Sequence, residues 1–139
     1  MNLEISTDRA RLDIDMIHRF LSERSYWAQG RLPDVTRRAI DNSLCFGAYV
    51  EGRQVGFCRL VTDYATFAWL ADVFVLEERR GEGVGKALVQ AVVDHPDLRG
   101  IRRILLATRD AHALYSRYGF TPVPADRFMM RLVEQPGER

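Results

Sequence analysis

Cysteine is scarce in this chain: Cys45 and Cys58 are the only two in 139 residues. A disulfide framework needs more of them, and a zinc site needs ligands at set spacings, so neither is expected. Both cysteines lie in apolar, strand-like segments and read as reduced core residues, as in a cytoplasmic protein. Histidine is as thin. His18, His95 and His112 are scattered, with no HxxxH or CxxC in the chain, and no metal is expected. An excess of charge of one sign is also missing: 20 Lys and Arg stand against 19 Asp and Glu, a formal net charge of +1. No overall field favours nucleic acid or an anionic membrane, so neither is expected as a partner and any basic site must be local. No apolar run approaches the roughly 20 residues of a membrane span. The opening MNLEISTDRARLDID carries acids early and lacks the apolar core of an export signal.

What is present suffices for a core. Apolar residues make up 47% of the chain and charged ones 28%, too apolar a mixture for disorder. At this length one domain with one core is the simplest organisation. LEIST (Leu3 to Thr7) alternates as a short strand. Asp13 or Asp15 can cap a helix running to about Glu23, because Ile14, Ile17, His18 and Leu21 recur at helical spacing. Gly30 and Pro33 interrupt it, and a second short helix is expected from Pro33 or Asp34 to Asn42. The period then changes. SLCFGAYVE and QVGFCRLVT flank Gly52-Arg53 as a hairpin, which would set Cys58 opposite Gly47 and Cys45 diagonal to Cys58. TFAWLADVFVLE follows as a longer strand and a helix then runs to about Asp94, where His95-Pro96 ends it. IRRILLAT is a strand, AHALYSRYG a short helix, and FTPV and FMMRLVE two closing strands. Glu134 to Arg139 reads as a frayed polar tail. Hairpins followed by a crossover imply a mixed sheet with helices on its faces.

The stretch RRGEGVGK, Arg79 to Lys86, sits between the long strand and the third helix. It is not a nucleotide P-loop, since five positions before Gly85 stands Arg80 and Lys86 is followed by Ala87. Nor is it a dinucleotide fingerprint, whose third glycine would have to replace Lys86. Its physical content survives both failures. A helix start offers free N–H groups and the positive end of the helix dipole. Gly81, Gly83 and Gly85 carry no Cβ to keep an anion away, so the loop suits a phosphate. Arg79, Arg80 and Lys86 add local positive charge.

Two landmarks narrow the reading. Arg80-Gly81-Glu82-Gly83-Val84-Gly85 resembles the Arg/Gln-x-x-Gly-x-Gly/Ala signature of the GNAT superfamily of N-acetyltransferases. ALYSRYGF (Ala113 to Phe120) is similar to the same family's Leu-Tyr-x-x-x-Gly-Phe landmark. In this order and at this separation, the pair is far more specific than either half. The resemblance is strong from about Val55 to Val123.

It implies an α/β (α+β mixed) GNAT-like fold, a splayed mixed sheet of six to seven strands flanked by about four helices. Residues 1–139 would form a single acetyltransferase domain. Within it, residues 1–42 would hold the variable strand and acceptor-side helices, residues 43–133 the acetyl-CoA-binding core and residues 134–139 the tail. It implies acetyl-CoA as co-substrate, its pyrophosphate on the N–H groups from Gly81 to Lys86. Its pantetheine arm would pair like an added strand with the backbone of Val73, Phe74 and Val75. Thr108 stands where many relatives have asparagine against the pantetheine.

The implied activity is transfer of an acetyl group to a primary amine of a small molecule or protein, by direct attack through a tetrahedral intermediate. The resemblance makes Tyr115 the general acid, because a phenol with pKa near 10 can protonate the leaving thiolate. Tyr118 is the internal competitor, disfavoured by its spacing to Gly119-Phe120. The developing oxyanion would face a backbone N–H of the Val73 to Val75 strand. Asp72 is the candidate base, acting directly or through a water chain, and a water-mediated base is preferred to any one carboxylate. Tyr26, Trp27 and Tyr64 are the aromatic residues available to enclose the amine. The alternative is a catalytically inactive acyl-CoA-binding sensor of the same fold, and a homodimer through an exposed final strand is a further possibility.

Overall fold

Four helices and five strands carry the described chain, residues 2–133 of a computed structural model. The strands are β1 (Leu3–Ser6), β2 (Leu44–Val50), β3 (Arg53–Thr62), β4 (Ala68–Val75) and β5 (Ile104–Leu105). They lie in the sheet in chain order, antiparallel as far as β4, with β5 parallel to β4. This is the expected mixed sheet of a GNAT-like α/β fold. The helices are α1 (Ile14–Arg24), α2 (Pro33–Asp41), α3 (Val84–Asp94) and α4 (His112–Ser116). Asp13 caps α1 by accepting the Met16 N–H at 3.1 Å, and Pro33 opens α2.

The sheet separates two apolar layers. On one face α3 buries Val84, Leu88, Val89 and Val92 in a cluster with Phe46, Ala48, Cys58 and Leu60. On the other, Ile17, Phe20 and Leu21 of α1 pack with Cys45, Phe57 and Phe74, the Phe20 and Phe74 rings stacked at 4.1 Å. The two free thiols therefore belong to opposite faces. Burial pushes both upward, Cys45 to about 11, so they stay protonated and unreactive near neutral pH.

The hairpin register differs from the expected one by two local events. The turn is Glu51-Gly52, both with positive φ, so Val50 rather than Glu51 begins the pairing. A bulge then shifts the ladder between Ala48 and Tyr49, leaving Val55 as the extra residue of β3. Cys58 consequently pairs with Phe46, not Gly47, and Cys45 with Arg59. The bulge leads into Gly56, which packs against the start of α3: a Cβ there would lie 3.1 Å from Cγ1 of Val84 and 3.2 Å from the Phe74 carbonyl. Gly56→Val is expected to destabilise the fold by about 1–3 kcal/mol through overpacking, read as a lower urea midpoint. An unchanged midpoint would show that α3 can ride off the sheet.

The two closing strands are absent from the described residues, which lowers the expected six or seven strands to five. Phe120 to Val123 contains Pro122, and Pro124 follows, removing ladder donors. Phe128 is extended but unpaired, and Met129 is 99% exposed, so apolar alternation here finds no sheet edge. The expected tail, Glu134 to Arg139, lies outside the described residues.

Candidate active site

β4 and β5 pair only at Ala68–Ile104 and Trp69–Leu105, and then diverge. Beyond that point β4 carries a bulge. Cys58 of β3 alone stands opposite Asp72 and Val73, and Asp72 takes a φ of 54°. A non-glycine residue held there is strained by roughly 1–2 kcal/mol and must be anchored by its surroundings. The anchors are plain. Asp72 is buried, and its carboxylate accepts from Trp27 Nε1 at 2.8 Å, Arg31 Nη1 at 2.8 Å and Arg59 Nε at 2.7 Å. Burial pushes its pKa upward, but hydrogen bonds and charge from the two guanidiniums outweigh that and hold it below the usual aspartate value.

The divergence opens a cavity of about 530 Å³. Its walls include Trp69 to Val73 of β4, Leu106 to Ala111 after β5, Tyr115 of α4, and Tyr26, Trp27 and Arg31 from the α1–α2 connection. Tyr26 straps the mouth: its hydroxyl accepts the Arg109 N–H at 3.0 Å, and the Arg109 guanidinium lies 3.8 Å above its ring. Tyr26 and Trp27 meet edge to face at 5.0 Å.

Tyr115 is 8% exposed, packed edge to face on Phe120 at 5.8 Å, and it borders the cavity. Burial is the main reason its pKa is pushed up to about 12, so it is a phenol and not a phenolate at neutral pH. Tyr118 is otherwise engaged, donating its hydroxyl to the Lys86 carbonyl at 3.0 Å and so tying α4 to the start of α3. Thr108 lines the cavity with its hydroxyl accepting the Ala111 N–H at 3.0 Å, which shapes the entry to α4.

At the glycine loop, Gly81 and Gly83 have φ of 82° and 86°, and a Cβ on either would meet nothing within 4 Å. Gly83 is the N-cap of α3 and supplies no side chain to it. The N–H groups of Val84, Gly85 and Lys86 open the helix without intrahelical acceptors. Arg79 pairs with Glu82 at 3.4 Å, while Arg80 and Lys86 are exposed. An open cradle of unshared donors under a helix dipole has the chemistry of an anion site, and it fits a diphosphate.

Two residues considered for the site, Tyr64 and Asp72, sit differently from expectation, while Phe74 keeps its expected backbone role open. Tyr64 does not line the cavity; it is half-exposed in the turn that Asp63 organises by accepting the Ala65 and Thr66 N–H groups. Asp72 faces the cavity, but its oxygens are held by three donors and its proton affinity is lowered, the opposite of what a general base needs. Phe74 turns its ring into the α1 layer, leaving only its backbone for a ligand. Arg31 and Arg59 belong to the site although no sequence motif marks them. The available signal was a lone charge in each of two neighbouring apolar strands, Arg59 in QVGFCRLVT and Asp72 in AWLADVFV.

A parallel crossover pair that splays, a bulge at the splay, a donor-lined helix start and a buried phenol facing the gap define an acetyltransferase scaffold. The chain belongs to the acetyltransferase (GNAT) family, whose model matches residues 14–120. Among solved structures it is similar to a GNAT-family protein from Xanthomonas campestris pv. campestris, at 56% identity and a TM-score of 0.91, with 96% of this chain and 94% of that one covered. A Gibberella zeae protein named as an acetyltransferase is 34% identical over 81% of this chain and 75% of its own length. The spermine/spermidine N(1)-acetyltransferase of Bacillus subtilis is 29% identical over 86% of this chain and 87% of its own.

Proposed function

We propose that the protein is a cytoplasmic, acetyl-CoA-dependent N-acetyltransferase that acts on a primary amine. The observation that carries this reading is the one cavity on which Val73, Thr108 and Tyr115 converge. In this reading Gly81 to Lys86 receive the diphosphate through backbone N–H groups, and the edge from Val73 to Val75 pairs with the pantetheine. Acetyl-CoA, when bound, supplies an activated thioester carbonyl. A backbone N–H of the Val73 to Val75 strand stabilises the charge that develops on it. Tyr115 then gives its proton to the departing sulfur. The engagement of Asp72 by Trp27, Arg31 and Arg59 favours proton removal from the amine by way of water. The two buried, free thiols fit a reducing compartment.

A thermal-shift comparison tests the reading directly. Acetyl-CoA at a hundred times its Kd is expected to add about 2.7 kcal/mol of stability, with no comparable gain from ATP or NAD. Thiol release with a panel of amines then separates catalysis from binding. Equal shifts with all three ligands would overturn the reading; binding with no release for any amine would mark a sensor.

A further inference from the structure

We propose that the acceptor carries a carboxylate beside its amine, an amino acid or a similar anionic amine, and that Arg31 and Arg59 receive it. This rests on the N-acetyltransferase reading and names its substrate class. The argument is one of charge and donors. Two guanidiniums converge on one carboxylate, Asp72, with both arginine side chains about 15% exposed or less and all three residues lining the cavity. One positive charge is left over. Arg109 and Asp110, the other charged residues of the cavity wall, lie 4.0 Å apart, are exposed, and offset each other.

The donors point the same way. Arg31 spends two N–H groups on Asp72; Arg59 spends one on Asp72 and one on Ser43 Oγ at 3.2 Å. The remaining N–H groups of both have no acceptor among the described residues, and a guanidinium this enclosed gains most from a ligand that supplies one. A single arginine would brace Asp72 under its bulge; the second is surplus to that task. The same surplus repels a polyamine, whose further cations would enter a cavity that already holds unshared positive charge. Arg31 lies in the α1–α2 connection with Trp27, so the anion would bind on the aromatic side of the cavity, next to the strand bearing Val73.

Matched amines test this. Phenylalanine is compared with phenethylamine, leucine with isopentylamine, and spermidine is run beside them. Each carboxylated partner is expected to be at least about tenfold better in kcat/KM, mainly through KM. Arg59→Gln should abolish the preference and Arg59→Lys restore part of it, with Arg31→Gln as the substitute if the first variant does not fold. Binding provides a readout free of turnover. Trp27 and Trp69 are the chain's two tryptophans and both border the cavity, so selectively excited tryptophan fluorescence reports on it. N-acetylphenylalanine should quench at concentrations at least about tenfold below those needed of N-phenethylacetamide.

Amines lacking the carboxylate that match or exceed their partners, or equal quenching by the two amides, would overturn the proposal while leaving the acetyltransferase reading intact. Selectivity for a carboxylate on the acyl donor instead of the acceptor would also overturn it. Carboxylate-dependent quenching with no acetyl transfer to any amine would support the anion site and sink the transferase reading instead.

Discussion

Tyr115→Phe is expected to lower turnover by roughly 10²–10⁴-fold while acetyl-CoA binding stays nearly unchanged. The variant keeps the ring that packs on Phe120 and deletes only the hydroxyl at the cavity wall. Because burial raises the phenol pKa to about 12 from an ordinary 10, Tyr115 holds its proton across the working range. The sign of the linkage follows. Burial of the neutral phenol contributes stability that is complete below pH 10 and is lost as pH rises through about 12. Any alkaline fall in kcat below pH 10 must therefore come from another group, and it should persist in the residual activity of the variant. Tyr118→Phe is the contrasting change. It removes the hydrogen bond to the Lys86 carbonyl and should lower stability by about 0.5–1.5 kcal/mol rather than turnover. Stopped-flow thiol release and equilibrium binding of acetyl-CoA decide the matter. Full turnover by Tyr115→Phe at every pH would remove this residue from the chemistry.

The parts of the site that the sequence made legible are those where one short segment determines the geometry. Glycines just before and just inside the start of an amphipathic helix leave its first turn open, and Gly83, the N-cap, does so with positive φ. The preference for Tyr115 over Tyr118 rests on spacing within one helical segment, and the structure has Tyr115 on the cavity wall and the Tyr118 hydroxyl on the Lys86 carbonyl. What stayed hidden depends on register between segments. Arg31, Arg59 and Asp72 come from a loop and two strands, and they meet because a bulge adds one residue to β4 at Asp72. No local pattern reveals a bulge. The hairpin failed for the same reason, since an early turn moved the partner of Cys58 by two places along β2 and the extra Val55 moved it back by one. The closing strands failed differently: alternation in FMMRLV describes a segment able to pair, while pairing needs an edge to receive it.

Asp72→Ala should be the most damaging change to stability, at about 3–5 kcal/mol, because it leaves two enclosed cations without their shared anion. The loss extends beyond the ion pair. Trp27 gives up its Nε1 bond, and the φ of 54° at residue 72 no longer has its three anchors. Asp72→Asn keeps a carbonyl acceptor for Trp27 or an arginine, so it should cost less than the alanine change. The pH dependence separates charge from shape. A carboxylate whose folded pKa is depressed adds stability that is present above the ordinary value of 3.8 and disappears as pH falls through the lower folded value. Urea melts from pH 7 down to the acid limb should show part of that limb missing in Asp72→Asn. Were Asp72 also the base, Asp72→Asn would abolish turnover even at temperatures where the variant is fully folded, whereas loss of a clamp alone leaves turnover in the folded fraction. The two arginines decide between these outcomes, for a carboxylate that binds two cations this closely is a poor proton acceptor and a strong clamp.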